Sequence, residues 1–237
     1  MSYKPDIKIR RTEKRQAQDL FPALLAFNDI NLSEQYELKL AEMARVAGIN
    51  CRMLLIMPKD LYRFGYRLCA AVPSNLMVLA QTIDQNNLTL EQIAFTTLNF
   101  GHIDDASLKT SCTDVTDWKT VHGAVAVSTE SGWKIRSLPP GFKKIREVRR
   151  LIHANIDSSM SNSSDLQEVL QMVFSDSLAT ISLFIEPLIG EHRPGITQKG
   201  ATSISGFVLG DFWITIVGEV PLATIKLLSD SIEYKPK

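Results

Sequence analysis

Two apolar segments near the end of the chain are separated by two residues that favour tight turns. The segments SISGFVL (203–209) and FWITIVGEV (212–220) flank Gly210 and Asp211. β-Branched and aromatic residues are enriched in strands, and a two-residue loop containing glycine is typical of a β-hairpin. The sequence therefore predicts an antiparallel hairpin in the last part of the chain.

Two other regions also predict strands. VHGAVAVS (121–128) and WKIRSL (133–138) flank TESG (129–132), which predicts a second hairpin in the middle of the chain. The apolar run CRMLLIMP (51–58) ends at a proline and predicts a buried strand. A run this short is also compatible with a buried helix, because periodicity does not separate the two.

Helical patterns dominate the first half of the chain. In residues 33–48, Ser33 is a candidate N-cap, apolar residues recur at helical spacing, and Gly48 is placed to end the helix. Capping residues followed by apolar positions predict two more helices, at 73–83 and 90–98. These patterns predict three helices before residue 100.

The clearest helical pattern begins at Ser164, which forms a capping box with Gln167. One apolar face follows, made of Leu166, Val169, Leu170, Val173 and Phe174. The predicted fold class is therefore α+β, with a helix-rich N-terminal half and antiparallel β-hairpins in the middle and C-terminal parts.

The chain divides on composition into an arm, a body, a connector and a C-terminal unit. We predict a basic N-terminal arm at 1–16, an α+β body at 17–156, and a Ser-rich connector at 157–164. A helix plus antiparallel hairpin would follow at 165–237, with one continuous domain over 17–237 as the alternative.

Positive charge is concentrated in two segments, although the formal net charge of the chain is zero. Residues 4–15 and residues 142–153 each carry a net charge of +4, which leaves the remainder at −8. Such an asymmetry says more about binding partners than the net charge does.

The second basic segment, GFKKIREVRRLIHANI (141–156), has the pattern of an amphipathic helix. Its apolar stripe would dock on the core, with cations directed outward. The stripe consists of Phe142, Ile145, Val148, Ile152 and Ile156. One interpretation is a solvated face whose charges pair with Glu147, and the other is a contact with an anionic surface.

The second interpretation predicts an anion-binding surface, because arginine in both segments suits bidentate contacts with phosphate. The predicted partner is nucleic acid or an anionic lipid surface. The predicted anion-binding residues are Lys8, Arg10, Arg11, Lys143, Arg146, Arg149 and Arg150.

An enzymatic alternative comes from acidic residues followed by a lysine. Asp105, Asp117 and Lys119 resemble the carboxylates and lysine of a magnesium-dependent nuclease or other hydrolase. No GxSxG, Walker A, GxGxxG or HExxH motif occurs in the sequence. Catalysis is therefore the weaker prediction, and no metal or cofactor is expected.

The cysteines bear on the compartment. Cys51, Cys69 and Cys112 are odd in number and lack CxxC spacing, which favours reduced thiols. The N-terminus lacks the pattern of a secretory signal, so we predict an intracellular protein, cytoplasmic or nuclear.

These patterns together predict a non-catalytic structural or interaction protein. It would bind an anionic partner through its basic arm and basic helix and would form homo-oligomers. Viral matrix-type or packaging-type assembly proteins fit this pattern by analogy.

Overall fold

The computed structural model describes residues 2–4, 9–12, 32–101, 103–104, 119–122, 125–127, 131–153 and 166–235. Strands make up most of these residues, and the sheets are mostly antiparallel. In chain order the elements are β1 (Ser2–Lys4), β2 (Ile9–Thr12), α1 (Leu32–Gln35), β3 (Tyr36–Val46), β4 (Ile49–Pro58), β5 (Gly65–Ala71), β6 (Met77–Ile83), β7 (Thr89–Ala94), β8 (Lys119–His122), β9 (Val125–Val127), β10 (Trp133–Ile135), β11 (Lys143–His153), β12 (Leu166–Ser175), β13 (Thr180–Pro187), β14 (Gly195–Lys199), β15 (Thr202–Leu209), β16 (Phe212–Gly218), α2 (Leu222–Ser229) and β17 (Ile232–Tyr234).

Two larger sheets form the body of the described protein. The N-terminal sheet is a five-stranded antiparallel meander with the order β3-β4-β5-β6-β7. The C-terminal sheet has seven antiparallel strands in the order β14-β15-β16-β13-β12-β11-β9. Two small sheets accompany them: β1-β2-β8, in which β2 and β8 are parallel, and β10-β17.

The largest core among the described residues lies on one face of the C-terminal sheet. Alternate residues of β13 and β16, among them Ile181, Leu183 and Ile216, are fully buried on this face. Helix α2 covers them with Ile225 and Leu228. Alternation of buried and partly exposed residues is what a strand produces when only one of its faces meets the core.

The predicted helix at 33–48 is wrong, because this segment forms α1 for one turn and then strand β3. Ala47 and Gly48 have φ values of +49° and +77° and make the tight turn to β4. A bulge between Leu40 and Met43 adds one residue to the strand. The bulge spaces the apolar residues so that a strand imitates helical periodicity.

The predicted helices at 73–83, 90–98 and 164–174 are also strands, namely β6, β7 and β12. In β12 the apolar residues do not form one stripe, since Val169 and Leu170 are neighbours on opposite faces and both are buried. A strand covered on both faces has this continuous apolar pattern. The α+β class with a helix-rich first half is therefore wrong.

The predicted basic helix is strand β11, which pairs with β12 over its whole length. Ile145 shows the difference from a helix. A helix would bury it beside Phe142 and Val148, whereas in the strand its exposed fraction is 62%. Cross-strand pairing with β12 provides backbone hydrogen bonds that the sequence pattern of 141–156 does not reveal.

The hairpin prediction around Gly210 and Asp211 is confirmed by the pairing of β15 with β16, and the strand prediction for 51–58 is confirmed by β4. The middle hairpin is wrong in its pairing, because β9 pairs with β11 and β10 pairs with β17. The connector at 157–164 lies outside the described residues, and the domain division stays a prediction.

Candidate functional site

A buried arginine lies where the two larger sheets meet. Arg63, in the loop between β4 and β5, has no solvent-exposed surface. Its Nε donates to Asp60 Oδ1 at 3.0 Å, its Nη1 to Asp176 Oδ2 at 2.7 Å and its Nη2 to the Pro140 carbonyl at 2.5 Å. Asp60 belongs to the N-terminal part, whereas Asp176 and Pro140 belong to the C-terminal part. The guanidinium therefore joins the two parts directly.

Aromatic rings complete the surroundings of Arg63. Its guanidinium carbon lies 5.4 Å from the ring centroid of Tyr36 and 5.3 Å from that of Phe142. The Tyr36 hydroxyl donates to Asp176 Oδ2 at 2.8 Å. Burial, together with neighbouring Tyr66 and Asp176, raises the pKa of Tyr36 well above its ordinary value. The phenol therefore keeps its proton and remains a donor.

The Asp176 carboxylate is fully hydrogen-bonded. Its second oxygen, Oδ1, accepts the N–H groups of Leu178 at 3.0 Å and Ala179 at 2.8 Å. These contacts fold the chain into the turn between β12 and β13. A carboxylate with four donors, one of them a neutralising guanidinium, is suited to holding two elements together rather than to transferring protons.

Two other contacts connect the sheets. Thr224 Oγ1, in α2, donates to the Tyr62 carbonyl at 2.6 Å, close to Arg63. Farther away, the Ala201 N–H donates to Glu91 Oε1 at 3.0 Å. The junction is therefore formed at more than one place.

A disulfide joins Cys51 in β4 to Cys69 in β5, and both residues are fully buried. The prediction of reduced thiols is therefore wrong for these two residues. Cys112 lies outside the described residues. Disulfides persist in oxidising compartments, which removes the main argument for an intracellular location.

The N-terminal sheet also carries exposed apolar side chains. Leu38, Leu40 and Met43 of β3 have exposed fractions of 48%, 75% and 49%. Strand β3 is an edge strand of its sheet among the described residues. Exposed apolar groups on a sheet edge are typical of a surface that meets another polypeptide.

The predicted anion-binding residues are not gathered on a helix. Lys143, Arg146, Arg149 and Arg150 lie on β11, Arg10 and Arg11 lie on β2, and Lys8 is outside the described residues. Arg149 forms an ion pair with Glu168. Lys143 is exposed and Arg146 is half-buried. Anion binding by these residues stays a prediction.

Part of the positive charge of β11 is neutralised within the strand by Glu147. Burial opposes its ionisation, but hydrogen bonds from Lys144 and Ser131 outweigh burial and lower the pKa of Glu147. The Lys144 ammonium lies 2.6 Å from its carboxylate. Lys144 therefore fits the first interpretation of the basic segment, in which its charges lie in solvent and pair with Glu147.

The structure does not bring the predicted nuclease residues together within the described ranges. Asp105 and Asp117 lie outside the described residues, and Lys119 is the first residue of β8. Within the described ranges, no group of three or more His, Cys, Asp or Glu residues is placed to hold a metal ion. None of the helices in these ranges has the length and apolar character needed to cross a membrane.

No sequence pattern predicts the junction residues. Arg63 and Asp176 are separated by 113 positions. Arg63 lies in PKDLYRFG and Asp176 in FSDSLA, both of which have the composition of ordinary turns. Only the packing of the two sheets brings them together.

Two family models match this chain, one for each larger sheet. Residues 1–112 match the MucB/RseB N-terminal domain, and residues 127–233 match the MucB/RseB C-terminal domain. The two matches follow each other in the order of the domain names and together account for most of the chain.

Individual relatives agree with these matches. The sigma factor AlgU regulatory protein MucB of Pseudomonas aeruginosa is 30% identical over 217 residues, covering 87% of this chain and 63% of that protein. The sigma-E factor regulatory protein RseB of Haemophilus influenzae is 26% identical over 225 residues, covering 92% of this chain and 65% of that protein. The chain thus spans less than two thirds of the length of these relatives.

Solved structures are similar as well. The crystal structure of MucB in complex with MucA(peri) superposes with a TM-score of 0.68 at 25% identity, covering 92% of this chain and 74% of that one. The fold and its junction define a mostly antiparallel β protein built on two larger sheets. The chain belongs to the MucB/RseB family.

Membership of this family corrects several predictions. The chain is neither a viral matrix-type or packaging-type assembly protein nor a nuclease, and RNA binding is not supported. The solved relative binds a protein, MucA(peri), so the predicted nucleic-acid or lipid partner is wrong. Membership of this family and the buried Cys51–Cys69 disulfide contradict the predicted cytoplasmic or nuclear location.

Proposed function

We propose that this chain is a periplasmic regulator of a sigma factor and acts by binding an anti-sigma factor of the MucA/RseA kind. The observation that carries the proposal is the structural match to MucB in complex with MucA(peri), which extends over both sheets. The buried Cys51–Cys69 disulfide supports an oxidising compartment.

The apolar residues of β3 are the part of the described surface best suited to this partner. Leu38, Leu40 and Met43 are exposed beside a strand edge that no described strand covers. An extended peptide can add to such an edge through backbone hydrogen bonds and can bury the neighbouring apolar side chains. Leu40 is the most exposed of the three and is therefore the best site to test.

A second contact is proposed at the basic strand β11. Lys143 is exposed at the start of this strand, next to exposed Lys144 and Ile145. A positive charge at the rim of an interface mainly steers association and selects acidic partners. We propose that Lys143 faces acidic side chains of the bound anti-sigma factor.

The test is calorimetric titration of the purified chain with the periplasmic segment of P. aeruginosa MucA and with the corresponding segment of the anti-sigma factor from the chain's own genome. We expect saturable binding of at least one segment. Leu40→Ser is expected to weaken binding about tenfold, the effect of losing about 1.4 kcal/mol at an apolar contact. Lys143→Glu is expected to weaken binding and to reduce its dependence on salt.

Matched controls are Leu88→Ser, an exposed apolar residue in the turn between β6 and β7, and Lys226→Glu, an exposed lysine on α2. Both should bind like the wild type. Absence of binding by the folded wild-type chain to either segment would contradict the proposed function. Normal binding by Leu40→Ser and Lys143→Glu would reject only the proposed contact surfaces.

A further inference from the structure

A row of polar side chains crosses the N-terminal sheet on the face that meets the C-terminal sheet. Tyr66 of β5 is the register partner of Thr82 in β6, and Thr82 is the register partner of Glu91 in β7. Register partners of antiparallel strands point to the same side of the sheet. Tyr66 and Thr82 are 3% exposed, and Tyr66 packs near Leu178 of the C-terminal part. The row therefore lies along the junction.

The C-terminal sheet presents the turn between β14 and β15 to this row. The buried Ala201 donates its N–H to Glu91 Oε1 at 3.0 Å. Gly200 has a φ of +59°, and a Cβ atom at this position would lie 2.7 Å from the same oxygen. The carboxylate of Glu91 is thus seated directly against the backbone of the turn.

A second carboxylate reaches the same turn from β16. Gly218, the last residue of β16, is the register partner of Ser203. Because the strands are antiparallel, Glu219 follows Gly218 on the side of Thr202, one residue from Ala201. Burial raises the pKa of Glu219, and the charge of Glu91 raises it further. Two acidic side chains from different sheets therefore converge on residues 200–202.

The surroundings do not neutralise this pair. No described lysine, arginine or histidine forms a salt bridge with Glu91 or Glu219. The other titratable group facing Glu219 is Tyr66, whose pKa is raised by burial, by Asp176 and by Glu219. Its buried hydroxyl has no hydrogen-bond partner among the described residues. Arg63 is held by Asp60 and Asp176.

We propose that Glu91 and Glu219 form an acid-sensitive contact between the two sheets, separate from the Arg63–Asp176 ion pair. At neutral pH the two carboxylates repel each other across the turn at 200–202. When Glu219 takes up a proton, the repulsion ends and Glu91 holds the Ala201 N–H against the N-terminal sheet. This inference does not depend on the proposed function.

Glu219 binds its proton more tightly in the folded protein than in the unfolded chain, and this sets the direction of the pH effect on stability. Between neutral pH and the ordinary glutamate value of 4.5, the folded chain binds more protons at Glu219 than the unfolded chain does. Its contribution to stability therefore increases as the pH falls through this range, and it stops changing below it.

The experiment compares thermal unfolding of the full chain, Glu219→Gln and the control Glu42→Gln, an exposed residue of β3, between pH 7.5 and pH 4.5. Glutamine keeps the shape of glutamate without its charge. Glu219→Gln is expected to raise the melting temperature at pH 7.5 by about 2–4 °C, and the difference should disappear near pH 4.5. Glu42→Gln should match the wild type throughout.

A second measurement follows the contact itself. The amide resonance of Ala201 should titrate with a midpoint above 4.5 in the wild type, and the midpoint should move in Glu219→Gln. The proposal is overturned if Glu219→Gln is no more stable than the wild type at pH 7.5, if the difference is the same at every pH, or if the Ala201 titration is unchanged by the substitution.

Discussion

At the scale of the residue, the side chain that matters most is Arg63. A guanidinium removed from water is tolerated only when its donors are occupied and its charge is balanced. Asp60, Asp176 and the Pro140 carbonyl meet this requirement, and the ring faces of Tyr36 and Phe142 add to it. This balance is specific to arginine, because a lysine ammonium could not bind three acceptors in one plane.

Arg63→Met should therefore lower the free energy of unfolding by about 3–5 kcal/mol, because it leaves the buried Asp176 without its counter-charge. Urea denaturation followed by circular dichroism measures this change. The matched control is Arg136→Met, since Arg136 is 62% exposed and pairs with Glu233 at 3.1 Å. An exposed pair contributes about 1 kcal/mol or less. Equal losses in the two variants would contradict a special role for Arg63.

At the scale of the element, the N-terminal sheet depends on links between its strands. Its strands bury a small apolar cluster around Cys51, Cys69, Ala71 and Val78. The disulfide crosses from β4 to β5 inside this cluster and closes a loop of 18 residues. A cross-link limits the freedom of the unfolded chain, and this supports a sheet whose edge strand β3 is mostly exposed.

Replacing both cysteines, Cys51→Ala with Cys69→Ala, should lower the free energy of unfolding by about 3 kcal/mol, the loss expected for a loop of this length. Guanidinium denaturation with and without reductant measures the effect. Reductant should destabilise the wild type once the sheet opens and should leave the double variant unchanged. A wild type that unfolds at the same midpoint in both conditions would contradict the structural role of the disulfide.

The sequence predicts helices where β3, β11 and β12 form, and the reason is the spacing of their apolar residues. The apolar residues of β3, β11 and β12 recur at spacings that helices also show, and a bulge in β3 and another in β11 strengthen the imitation. Helix propensity differs by less than about 1 kcal/mol per residue among ordinary residues. Pairing with a neighbouring strand over ten or so residues easily exceeds that preference. For β11 and β12 the paired residues, such as Lys143 and Ser175, are also remote in sequence.

At the scale of the whole molecule, the junction should make the two sheets unfold together. The ion pair of Arg63 with Asp176, the Tyr36 hydrogen bond and the Thr224–Tyr62 contact all cross it. We expect the wild type to unfold in one calorimetric transition whose van't Hoff and calorimetric enthalpies agree.

Asp176→Asn should uncouple the two parts, because it removes the charge that Arg63 requires while keeping the size of the side chain. The van't Hoff enthalpy should then fall below the calorimetric enthalpy, and two transitions should separate. Asp230→Asn, at an exposed site after α2, is the matched control and should keep a single transition. A single two-state transition in Asp176→Asn would show that other contacts couple the sheets.

Features that depend on residues close together in the chain are predictable from the sequence. The turn at Gly210 and Asp211 fixed the β15–β16 hairpin, and the apolar run before Pro58 identified β4. Only the packed structure shows that β11 and β12 are strands, that Cys51 bonds to Cys69, and that Arg63 pairs with Asp176, 113 residues away. Turn conformation depends on interactions within a few residues, whereas strand pairing and buried charge depend on partners that only the packed sheets bring together.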